Sequence, residues 1–130
     1  YPCSVTARPD VPDEWIDRLA GILEAFPECV ADRAWVGTRW RVRGATVAHV
    51  FGGEDQQFRL IFRAEPGEVP AFENLGDPYF RVNWGESTVG IIVDERTDWA
   101  EVAELLTDSY CVQAPASLAE LVERPEAAGP

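Results

Sequence analysis

Between residues 38 and 63 the sequence reads TRWRVRGATVAHVFGGEDQQFRLIFR, and three runs within it alternate with the two-residue period of a β-strand. These runs are 38–43, 45–51 and 57–63. Gly44 and the cluster Gly52-Gly53-Glu54-Asp55 separate them, which predicts two turns and a three-stranded antiparallel meander. Alternation then divides the side chains. Trp40 and Val42 share a face with Phe58, Leu60 and Phe62, while Arg39, Arg41, Arg43, Arg59 and Arg63 fall opposite those apolar sets. A sheet of this kind needs cover on its apolar face and can leave its arginine face to water.

The rest of the chain supplies the cover. A helix is predicted over 12–26: Pro12 suits the first turn, Asp13 and Glu14 complement the positive helix end, and Ile16, Leu19, Ala20 and Leu23 form one apolar stripe before Pro27. An extended lead-in over 28–36 brings the chain to the meander, with Trp35 at its end. Pro66, Gly67 and Pro70 interrupt the next stretch, leaving a short helical turn over 71–75. A strand over 79–84 and a turn at Gly85-Glu86-Ser87 precede TVGIIV at 88–93, whose β-branched, nearly unbroken apolar run marks a central buried strand. Asp98 and Glu101 have the spacing of a capping box for a second helix over 98–108. Residues 110–112 are expected to run extended, and Ser117 with Glu120 suggests a capping box for a short helix over 118–123. The expected organisation is a loose arm over 1–11, one α+β domain over 12–124 with helices on an antiparallel sheet, and a frayed tail over 125–130.

Composition narrows the function classes. With 130 residues, 46% of them apolar, one domain can bury a core without metal or disulfides. Cys3, Cys29 and Cys111 are odd in number and widely spaced, which favours reduced thiols and a cytoplasmic setting; Cys29 and Cys111 read as small core residues. No apolar run reaches the ~20 residues of a membrane span, and no charged-then-apolar leader is seen. The chain contains no Met, so Tyr1 is expected to be a trimmed or processed start. The net charge of −12 is unevenly spread: residues 1–30 sum to −4, residues 31–63 to +3 and residues 64–130 to −11. The meander is thus a basic island in an acidic molecule, and all of its basic residues are Arg, the better side chain for bidentate anion contacts.

Catalytic chemistry finds no foothold. His49 stands alone between Ala48 and Val50 and reads as a hydrogen-bonded strand residue, because a metal or triad would need partners. There is no Gly-x-Ser-x-Gly and no P-loop, and Gly52-Gly53 reads as a hairpin turn since no helix follows it. Asp94, Glu95 and Asp98 cluster between a strand and a helix, where capping explains them more simply than a cation does. A non-enzymatic protein without metal or cofactor is expected. The arginine rows could contact phosphates or pair with the abundant Asp and Glu. A second candidate site is a set of aromatic rings, Trp35, Tyr79, Phe80 and Trp84, in or near irregular segments where a planar ligand could be held.

The ordered string of short motifs resembles the MmcQ/YjbR family of small bacterial proteins. It comprises Phe26-Pro27, Ala34-Trp35-Val36-Gly37, Trp40-Arg41-Val42-Arg43-Gly44, Asp77-Pro78-Tyr79-Phe80, Trp84, Val89-Gly90-Ile91-Ile92-Val93-Asp94, Asp98-Trp99 and Asp108-Ser109-Tyr110 with Ala114-Pro115. The resemblance covers roughly residues 15–122. It implies a compact α+β fold, a DNA-binding role based on a winged sheet architecture, and no agreed catalytic residues. Members often carry Lys after the glycine of the Arg-Gly turn and after the closing Ala-Pro, where this chain has Ala45 and Ala116. Three functions follow as expectations. The first is a DNA-binding module working through Arg39, Arg41, Arg43, Arg59 and Arg63. The second is a binder of a planar, aromatic or cationic small molecule at Trp35, Tyr79, Phe80 and Trp84. The third is a protein–protein interaction module.

Overall fold

The computed structural model describes residues 9–34, 37–53, 55–82, 85 and 87–122. Its elements are α1 (Asp13–Leu23), β1 (Cys29–Arg33), β2 (Thr38–Val42), β3 (Ala45–Gly52), β4 (Phe58–Arg63), α2 (Val69–Leu75), β5 (Tyr79–Arg81), β6 (Thr88–Val93), α3 (Trp99–Gln113) and α4 (Ala116–Ala119). A 3₁₀ turn, Pro66–Glu68, leads into α2. The strands form one antiparallel sheet in the order β1-β2-β3-β4-β6-β5. The predicted meander is its centre, and the lead-in and the TVGIIV run extend it on either side.

Local chemistry sets the turns. Arg43 and Gly44 connect β2 to β3 with φ of 47° and 87°, the two positive values that a tight two-residue hairpin requires. Arg43 is therefore a turn residue, one position beyond the strand expected to hold it. Between Trp40 and Arg41 the β2–β3 register shifts by a bulge, so Val47 and Ala48 are both fully buried despite being neighbours.

All three longer helices lie on one face of the sheet. Trp15 of α1 meets Phe58 edge-on at 5.1 Å, Phe72 of α2 meets Phe62 at 5.7 Å, and Val102, Leu106 and Tyr110 of α3 join the same core as Trp40, Leu60, Phe62, Val89, Ile91 and Val93. Trp40 is 0% exposed, and its indole Nε1 donates to Glu24 Oε2 at 3.1 Å, so burying the ring leaves no polar atom unsatisfied. Among the described residues no helix is long and apolar enough to cross a membrane.

Three expectations are corrected. Helix α1 stops at Leu23, with Glu24 as its cap, rather than at Phe26. The stretch 110–112 is helical, because α3 continues to Gln113. Tertiary bonds hold that last turn: Ser109 Oγ donates to Val47 O at 2.6 Å and accepts from Arg63 N at 2.8 Å, while Tyr110 Oη donates to Pro27 O at 2.7 Å. Those bonds outweigh the modest strand preference of Tyr, Cys and Val. Finally, α4 begins after Pro115 without a side-chain cap, so the predicted Ser117–Glu120 box does not form. The cap at Asp98 does form, its Oδ1 accepting from Ala100 N at 3.0 Å and Glu101 N at 3.3 Å.

Candidate functional site

The face of the sheet opposite the helices follows directly from register, because opposed residues in an antiparallel ladder project to the same side. One row crosses all six strands: Asp32, Arg39, His49, Ile61, Gly90 and Phe80. A second row holds Phe51, Arg59 and Ile92, and Arg63 lies opposite Thr88 in a third. Among the described residues no helix covers this surface. Its middle is apolar and aromatic. Ile61 is only 4% exposed, and the rings of His49 and Phe51 lie 5.0 Å apart. Phe80 lies with the outer end of its ring over Gly90, where a Cβ would overlap it.

The arginines flank this middle, and each has a defined partner. Arg39 Nε donates to Asp32 Oδ1 at 2.9 Å, and Arg41 Nη2 donates to the other oxygen of the same carboxylate. Arg59 forks onto Asp55 with bonds of 2.9 and 2.6 Å. Its Cζ also sits 6.0 Å from the centre of the Phe80 ring. Arg63 differs: its Nη1 donates to the Thr88 hydroxyl at 2.8 Å, and no carboxylate among the described residues pairs with it. Arg43 is held away from the rows at the hairpin turn, forked onto Glu28 at 2.9 and 3.0 Å. Among the described residues, Arg39, Arg41, Arg59 and Arg63 thus face two carboxylates, an excess of two positive charges.

The titration behaviour follows this pairing. The hydrogen bond from Arg39, with Arg41 beside it, lowers the Asp32 carboxyl below its ordinary value. Arg59 and the Gln57 amide hold Asp55 well below the carboxylate range, and Arg43 does the same, less strongly, for Glu28. Asp55 in turn raises the Arg59 guanidinium. Arg63 moves the other way, because partial burial without a counter-charge disfavours its cation.

The proposed aromatic set is not brought together by the residues described. Tyr79 projects to the helix face, where its ring meets Phe72 at 5.2 Å, whereas Phe80 projects to the open face. Trp35 and Trp84 lie outside the described residues. Tyr79 instead lines a cleft of about 490 Å³ with Asp77, Asp94, Arg96, Asp98 and Glu101. Within it Asp94 Oδ1 accepts from Arg96 N and Asp98 caps α3, so two of its carboxylates serve the local fold. Among the described residues no group of three His, Cys, Asp or Glu side chains is arranged to hold a metal.

Sequence reasoning found the arginines but missed the residues between them. The alternation in 45–51 already places His49 and Phe51 opposite Ala48 and Val50, and Gly90 is the one break in TVGIIV. Those two signals were available. Which residues stand opposite which required the strand order.

The family model YjbR matches residues 24–112. Among solved structures, the crystal structure of the Deinococcus radiodurans protein DR2400, described as carrying the family-model domain DUF419, is similar in fold. It superposes with a TM-score of 0.65 at 14% identity, covering 85% of this chain and 89% of that one. No curated protein matches the sequence.

Proposed function

Since this chain belongs to the YjbR family, we propose that it is a non-enzymatic DNA-binding protein whose contact surface is the helix-free face of the sheet. One observation carries this reading. In a molecule of net charge −12, Arg39, Arg41, Arg59 and Arg63 stand together on one sheet face that no described helix covers, and among the described residues they outnumber their carboxylate partners by two. Phosphates would find there what the rest of the surface denies them. Arg63 is already partly desolvated and has no charged partner among the described residues, so an incoming phosphate need not displace one. At Arg39 and Arg41 two guanidiniums share a single carboxylate, so one can turn outward without leaving Asp32 bare. Arg43, forked onto Glu28 at the turn, contributes least.

The test is anisotropy of labelled DNA, offered both as duplex and as single strand, titrated at low and near-physiological salt. Binding is expected to weaken with salt with a logarithmic slope of about −0.7 to −0.9 for each phosphate engaged. Replacing Arg39 and Arg63 together by Gln should remove most of the affinity. Binding that ignores both salt and the double substitution would overturn the reading.

A second reading has one observation in its favour. The cleft lined by Tyr79, Asp77, Asp94, Asp98 and Glu101 offers a ring wall and carboxylates to a planar cation. Quenching of tryptophan fluorescence by a planar cationic dye, lost in Asp77→Asn and indifferent to DNA, would support it. Quenching that survives the substitution would rule it out.

A further inference from the structure

We infer that the open face takes single-stranded DNA, with an unstacked base resting on Phe80 and the adjoining phosphate at Arg63; this rests on the DNA-binding reading above. A duplex presents a cylinder of phosphates and keeps its bases stacked inside, so a surface built for it alone would be polar and cationic across its whole width. This face is arranged otherwise. The rings of His49 and Phe51 on β3 and the ring of Phe80 on the edge strand β5 stand on either side of β4, which carries Arg59, Ile61 and Arg63. Cations interleaved with flat rings match a backbone lying along the arginines with its splayed bases against the rings beside them.

Phe80 is the best-formed part of the platform. It lies over Gly90, the one position in β6 without a side chain, so the ring is lowered onto the sheet instead of standing up from it. The Arg59 Cζ lies over this ring, 6.0 Å from its centre, so a base that reaches Phe80 also meets a guanidinium plane. Arg59, Ile61 and Arg63 occupy alternate positions of β4 and therefore share the face, with about 7 Å between successive members. The two arginines bracket the row in which Phe80 lies. Arg59 is neutralised by Asp55, so the phosphate belongs to Arg63 and the stacking to Phe80 and Arg59.

The experiment compares a labelled oligo-dT of about a dozen nucleotides with the same strand annealed to its complement, and with the matching oligo-rU, all at low salt. The single DNA strand is expected to bind about tenfold tighter than the duplex and at least as tightly as the RNA. Phe80→Leu keeps an apolar side chain over Gly90 and removes the ring; it should cost the single strand about tenfold and leave weak duplex binding unchanged. Phe80→Tyr keeps the ring and should keep the affinity, and thermal melting of both variants checks that the fold survives. Duplex binding as tight as single-strand binding, or a Phe80→Leu protein that binds the single strand normally, would overturn the inference while leaving DNA binding intact. Tighter binding of the RNA would overturn the assignment to DNA. Failure of every oligonucleotide to bind would remove the underlying reading as well.

Discussion

On the helix-covered face of the sheet, Trp40, Leu60, Phe62, Val89 and Val93 are each at most 2% exposed, and they interlock with α1, α2 and α3. On the opposite face the alternating positions hold Arg39, Arg59 and Arg63, paired with carboxylates or a hydroxyl and partly open to water. The same strands carry both sets. The first is dictated by folding, since burial of large apolar side chains is the main favourable term in stability. The second is not, because exposed ion pairs add little. A face that folding does not require to be arginine-rich is the natural place to look for a function.

Substitutions should separate the two faces. Trp40→Ala empties a fully buried indole site and leaves Glu24 without its donor, so it should cost about 3–5 kcal/mol. Against a total of about 5–15 kcal/mol for a domain, that is a large share. Urea denaturation would show it as a large fall in midpoint. Gly90→Val is the next largest and blurs the division, because it lies on the open face. A Cβ there overlaps the Phe80 ring, which must lift or tilt, at an expected cost of about 1–3 kcal/mol. If the melting temperature of Gly90→Val is unchanged, Phe80 is not seated on the sheet and the open face has no packed centre.

How much of this could be read from the chain differs between the faces for the same reason. Alternation in 38–63 identified the apolar set and the arginine set, because a two-residue period needs no knowledge of partners. It could not show that Arg39 stands beside His49, Ile61 and Gly90, since that row depends on β6 lying between β4 and β5. Nor could it show which of Tyr79 and Phe80, on opposite sides of their strand by the same alternation, faces the helices, since that depends on their pairing with β6. The C-terminal turn of α3 was misread at Tyr110-Cys111-Val112 because its holding bonds reach back to Pro27, Val47 and Arg63, far away in sequence. Local preference favoured a strand; long-range hydrogen bonds made it a helix.

The two faces should also respond to pH with opposite signs. On the open face Asp32 and Asp55, and at the hairpin Glu28, have folded pKa values below their ordinary ones. Near pH 4, where unfolded carboxylates titrate, the unfolded chain therefore binds more protons, and stability falls as pH drops through that range and below. On the helix-covered face burial pushes the Cys29 thiol up to about 11, with Glu24 adding to the effect. There the folded chain holds its proton longer than the unfolded one, so stability falls as pH rises from ~8.5 toward 11. Urea midpoints measured across pH should decline at both ends. Cys29→Ala should reduce the alkaline decline alone, leaving the part due to the Tyr110 hydroxyl, which burial also raises, and Asp55→Asn should reduce the acid decline alone. A reversal of either pairing would break the division between the faces.

The smallest effect on stability, and the most informative about binding, is expected from Asp32→Asn. Among the described residues this carboxylate is the only one that two arginines share, and it sits at the end of the row that crosses the whole sheet. Removing its charge frees Arg39 and Arg41 together, while the amide preserves the side chain's shape. The melting temperature should move far less than in Trp40→Ala or Gly90→Val, because the pairs are exposed. DNA affinity should rise, and the salt slope should steepen by roughly one for each further phosphate engaged. If the arginines were there only to hold Asp32 and the strands β1 and β2 in place, the outcome would be the reverse: a loss of stability with no gain in affinity. Measured side by side, the melt and the titration therefore tell whether the arginine face serves the fold or the ligand.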